Sequence, residues 1–277
     1  MPHLRADGTG VPAGPGAVLH DPAGTRPGAP PTPEDLHRPV PQPAETPLRL
    51  GVPGYAHPLV APVEWGELTR PAAAEAVHWT VLDVAAGPGA RPDPHCLEAA
   101  GRLKSARVGV LGHLDLRHGR RPFGELASDA HRFLEWYRVD GFYLGRCPAD
   151  RDRLPEVRRA AAALAALAAL TPRAHVVLGI GTHPHPGYAE VADQLVTFAG
   201  PWAGYRWSQV AEWTAEYPAE RFCHLVHGVP PTHLEEALRI ARWQGAASVF
   251  FTDRPGWEAL PGYWDDLVSR LGQGVSE

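Results

Sequence analysis

From residue 48 onward, short apolar runs rich in β-branched residues alternate with stretches whose apolar positions recur at helical spacing. The runs 50–56, 78–84, 107–114, 139–145, 175–181, 194–199, 221–227 and 247–252 predict eight strands. They are apolar on both faces, which predicts a parallel sheet covered by helices. Helices are predicted near 62–69, 94–105, 122–137, 154–170, 186–192, 206–216, 232–243 and 263–271. In the third of these, Leu126, Ala130, Phe133, Leu134 and Tyr137 share one face. Pro122, Pro155 and Pro186 stand near helix starts, where a missing N–H costs little. Eight β-then-α units predict an α/β fold, a (β/α)8 TIM barrel. A doubly wound open sheet is the alternative, but no G-x-G-x-x-G follows the first strand.

The start of the chain reads differently. Twelve of the 31 prolines fall within 1–47, mixed with glycines and almost no aromatics. Such text buries too little apolar surface to offset chain entropy, so a disordered tail is expected over 1–46, ahead of a barrel domain over 47–277. The net charge of −5 argues against a nucleic-acid or anionic-membrane partner. No apolar run approaches the ~18 residues of a membrane span, and the start lacks the apolar core of a signal peptide. Cys96, Cys147 and Cys223 are odd in number and far apart, fitting neither a disulfide framework nor a thiolate zinc site. Together these features predict a cytoplasmic protein. Oligomeric state leaves no trace in the sequence.

Chemistry in a TIM barrel sits on the loops after the strands. The predicted strand ends carry Tyr55, His57, Asp83, His113, Asp115, Gly145, Arg146, His183, Ala199, His227 and Asp253, with Trp202, Trp207, Trp257, Tyr263 and Trp264 close by. Trp and Tyr grouped at a barrel mouth suit a saccharide cleft, because their faces pack on pyranose rings. His57, His113, His183 and His227 all close odd-numbered strands, yet their spacing is not that of a metal site. They are expected to be hydrogen-bonded polar residues of the cleft, with no metal and no cofactor.

Read in order, these ends resemble the spherulin-4 family (spherulation-specific family 4). The resemblance rests on GVPGYAHP at 51–58, LDVAAGPG at 82–89, VLGHLDLRHGRRP at 110–122, WYRVDGFYLGR at 136–146, GIGT at 179–182, VTFAGPW at 196–202, HLVHG at 224–228 and TDRPGWEALPGYW at 252–264. It implies a glycoside-hydrolase-like barrel, in a family that includes enzymes cutting galactosamine polymers. It also implies that histidines at the positions of His57 and His227 need no metal.

The departures carry the functional reading. Where the family has acids after strands four and six, this chain has Gly145, followed by Arg146, and Ala199. Glycoside hydrolysis uses two carboxyl groups flanking the scissile bond, and neither position supplies one. A catalytically degenerate barrel is therefore expected, binding a saccharide through Tyr55, His57, His113, Trp202, Trp207, His227 and Asp253. The alternative is an active hydrolase with Asp83 and Asp115 as relocated acids. Asp83 stands where the family has an amide. Its simple reading is a turn-capping carboxylate, Asp115's is a loop cap, and Asp253's is a partner for Arg254.

Overall fold

The strands are β1 (Arg49–Val52), β2 (Val77–Leu82), β3 (Gly109–Asp115), β4 (Gly141–Gly145), β5 (His175–Gly179), β6 (Gln194–Pro201), β7 (Phe222–His227) and β8 (Ser248–Thr252). Each pairs in parallel with the next, and β1 pairs with β8, closing the barrel and removing the open-sheet alternative. This computed structural model describes residues 47–54, 56–169 and 174–272. The expected tail over 1–46 lies outside the described residues, as does Tyr55. Among the described residues, no helix is long and apolar enough to cross a membrane.

Among the described residues, eight α-helices accompany the strands: α1 (Pro62–Glu67), α2 (Pro71–Ala76), α3 (Pro94–Ser105), α4 (Phe123–Arg132), α5 (Leu154–Ala168), α6 (Trp202–Tyr205), α7 (Leu234–Trp243) and α8 (Trp264–Gly272). After α4 the chain widens into one π-type turn over Phe133–Tyr137, which keeps Phe133 and Tyr137 both inward. Three expectations fail locally. The helix near 186–192 is a single 3-10 turn, Pro186–Glu190. The helix expected over 206–216 does not form: α6 ends at Tyr205, and a separate 3-10 turn, Glu212–Glu216, follows. Ser208 explains this break, because its hydroxyl donates back to the Tyr205 carbonyl while Gln244 Nε2 donates to the Ser208 carbonyl. And α2, absent from the expectation, is a Pro-capped alanine turn packed on α8.

Inward positions of the strands pair large side chains with glycines on neighbouring strands. Near the N-terminal strand ends, a Cβ on Gly51 would stand 2.7 Å from Trp79 Cη2. Trp79 Nε1 donates to Gln194 Oε1 (2.8 Å), and Gln194 Nε2 donates to Ser248 Oγ (2.9 Å) and the Glu220 carbonyl (2.8 Å). These residues come from β2, β6 and β8, the alternate-strand layering of a filled barrel. Tyr143 follows, its ring centroid 6.0 Å from that of Trp79 and 6.1 Å from that of His113. Trp79, Tyr143 and His113 thus climb the barrel interior towards the mouth.

Gly179 is the glycine under Tyr143, where a Cβ would stand 2.5 Å from Oη and 2.6 Å from Cζ. Overpacking of this kind costs ~1–3 kcal/mol. Gly179→Ala should therefore lower the unfolding free energy from urea titration by that amount, and an unchanged urea midpoint would contradict this account of the interior.

Candidate functional site

Asp83 follows β2 and His113 lies near the end of β3; both side chains are mostly buried at the mouth. Asp83 Oδ2 lies 2.7 Å from His113 Nδ1, and Asp83 Oδ1 accepts from the Gly87 amide (2.8 Å). The turn-capping role expected of Asp83 is there, with a second partner the sequence did not announce. A carboxylate only accepts, so Nδ1 donates, and in the neutral ring Nε2 carries the lone pair. That nitrogen sits over β4: a Cβ on Gly145 would overlap it and stand 3.1 Å from Cδ2. His113 therefore fills the space into which an acid at position 145 would project.

Asp115 is fixed just as firmly. It is the β-ladder partner of Gly145 and accepts a two-pronged ion pair from Arg146, with Arg146 Nε at 2.8 Å from Oδ1 and a second bond from the guanidinium to Oδ2. The Arg117 amide also donates to Oδ1 (2.8 Å), the loop cap expected from sequence. Burial pushes the Asp115 carboxyl up. The hydrogen bonds from Arg146 and Arg117 and the positive charge of Arg146 outweigh burial and hold it below the usual carboxylate range. Asp115 thereby neutralises the positive charge of Arg146 beside position 145. The residue sits in the left-handed region (φ 48°), held there by this pair and by the Leu116 and His118 amides donating to the Gly145 and Arg146 carbonyls.

The other expected site residues spread around the mouth. Ala199 is exposed on β6, against Gly181. Trp202, expected as a sugar platform, is 7% exposed, covered by His233 and Arg206. Trp207, in contrast, is 76% exposed, with the Arg206 guanidinium 5.2 Å from its ring centroid. His227 at the end of β7 stands edge-on to Trp257, centroids 5.3 Å apart. Asp253 after β8 accepts from the Gly262 amide (2.9 Å), with the Arg254 guanidinium at ion-pair distance (3.8 Å). His183 meets Trp213 edge-on, and burial lowers its pKa.

A cluster missed by sequence reasoning joins His57, Asp93 and Cys96, whose ligand atoms all lie within 4.8 Å of one another. Asp93 is the N-cap of α3, accepting from the His95 and Cys96 amides, and the motif Asp-Pro-His-Cys was a legible cap signal. His57 Nδ1 accepts from the Leu59 amide (3.1 Å), so its Nε2 carries the proton, facing Cys96 Sγ (3.4 Å) and Asp93 (3.5 Å). Burial, then the Asp93 charge, pushes the Cys96 thiol up to about 12. The Nε2–H and the thiol thus join Asp93 in a hydrogen-bonded knot. A cavity of about 820 Å³ opens at the opposite, N-terminal face, around His78, Arg107 and His175, away from the strand ends where barrels place their chemistry.

The closed parallel barrel, with helices between its strands and polar side chains at its C-terminal strand ends, defines the chain as a (β/α)8 barrel protein. Within that class, the chain is a member of spherulation-specific family 4, whose sequence profile matches residues 49–271. Among solved structures, it is similar to Aspergillus clavatus Sph3 in complex with GalNAc: 23% identity, TM-score 0.74, covering 82% of this chain and 98% of that one. A weaker likeness is to the Bacillus cereus spore cortex-lytic enzyme SleL, at 8% identity and TM-score 0.51, covering 83% and 76%. Both likenesses establish the fold. No curated protein matches the chain.

The depressed Asp115 pKa has a definite sign. Its stabilisation is present above the ordinary carboxylate value of ~3.9 and is lost as pH falls through the lower folded value. Arg146→Asn keeps a residue that tolerates the left-handed backbone while removing the charge. In that variant the Asp115 carboxyl, followed by NMR, should titrate at higher pH than in the wild type, and an unchanged titration would contradict the ion pair's role.

Proposed function

We propose that this barrel is a saccharide-binding member of its family that has lost glycoside hydrolysis. The observation carrying the reading is the His113 imidazole over Gly145, which takes the place of a projecting acid. Ala199 leaves the second position without a carboxylate as well. General acid catalysis contributes ~10²–10⁴-fold, and its partner carboxylate is missing too. The saccharide class is suggested by the GalNAc bound to the similar Sph3. Trp207 and the His227–Trp257 pair offer ring surface at the mouth, with His57, His113 and Asp253 as polar contacts.

The competing reading, hydrolysis with Asp83 and Asp115 as relocated acids, requires one of them to hold a proton near neutral pH. Asp115 is held in the opposite direction by Arg146. Asp83 has both oxygens engaged, by His113 and by the Gly87 amide.

Calorimetric titration with GalNAc and galactosamine oligomers should give heat of binding, while reducing-end release from the polymer stays at background. Turnover by the wild-type chain, abolished by Asp83→Asn or Asp115→Asn, would overturn the proposal. Restoring acids by Gly145→Asp with Ala199→Glu should fail while His113 is in place, and should give weak release only when His113→Ala clears the space.

A further inference from the structure

On the flank of the barrel, α4 and α5 leave a groove of about 580 Å³ beneath the β3–α4 loop. This is within the ~300–1,000 Å³ range of small-ligand sites. Its walls are apolar: Leu116, Phe123, Leu126, Val157, Ala160 and Ala163. The two alanines on α5 create the space, since their methyl groups leave it open between the helices. Phe123 is 49% exposed at the edge.

The polar lining has one dominant sign. Arg120, Arg121 and Arg159 line the groove, and its acid, Glu156, is paired with Arg153 at 3.0 Å. Arg120 uses its Nε on the Arg117 carbonyl, leaving the rest of an exposed guanidinium at the rim. Arg121 is engaged within the protein, by Asp129 and Glu125. Its side chain is 9% exposed, and its terminal nitrogen bonds Asp129. Its buried Nε–H has no hydrogen-bond partner, with Glu125 Oε2 at 3.6 Å. A groove with apolar walls and a basic rim at Arg120 and Arg159 complements a ligand that is apolar along its length and anionic at one end.

We propose that this groove binds an aliphatic monocarboxylate, its chain against Ala160, Ala163 and Leu126 and its carboxylate at Arg120 and Arg159. The site lies on the outer flank and does not depend on the saccharide reading of the mouth.

Calorimetry and methyl NMR with decanoate below its micelle concentration test this. The expected result is one saturable site with shifts at Leu126 and Val157, no binding of acetate, and weaker binding of decyltrimethylammonium. Arg159→Glu reverses an exposed charge without touching the Arg121–Asp129 pair, and should weaken decanoate at least tenfold. Ala163→Phe should abolish binding, with circular dichroism confirming the fold. Equal binding of decanoate and decyltrimethylammonium, or an Arg159→Glu variant that binds decanoate as well as the wild type, would overturn the proposal.

Discussion

Space at the barrel axis is the constraint on which the rest depends. A closed eight-stranded barrel leaves an interior just wide enough for side chains, so each large inward residue needs a small one beside it. Trp79 has Gly51, Tyr143 has Gly179, and His113 has Gly145. The last pairing reaches the mouth, where packing becomes chemistry. His113 is not free to vacate the space over Gly145, because Asp83 holds its other ring nitrogen at 2.7 Å and the Gly87 amide holds Asp83.

The same contacts knit the loops after β3 and β4 together. Backbone amides of Leu116 and His118 donate across to the Gly145 and Arg146 carbonyls, and the Asp115–Arg146 pair spans the same gap. The carboxylates of Asp83 and Asp115 each accept from a neighbouring side chain and a backbone amide. The mouth also presents oriented polar groups and ring faces, with His227 edge-on to Trp257.

The barrel was legible because parallel strands buried on both faces leave unmistakable apolar runs, and all eight appear within a few residues of their expected bounds. Elements with little apolar side chain were not: α2 is mostly alanine, and its burial against α8 gives no periodic signal. Site residues could be named singly from their strand ends. Their pairings could not, since Asp115 meets Arg146 only through the register that sets Asp115 beside Gly145. Likewise, nothing in the sequence distinguishes the buried Trp202 from the exposed Trp207 five residues on. The joining of His57 to the Asp93 cap links residues 36 positions apart, and only the closed barrel brings them together.

The central claim is that position 145 and the His113 ring exclude each other. A crystal structure of the Gly145→Ala variant tests it most directly. The account predicts that the new methyl group displaces the imidazole and breaks its hydrogen bond to Asp83. An alanine accommodated with the Asp83–His113 distance still near 2.7 Å would contradict it.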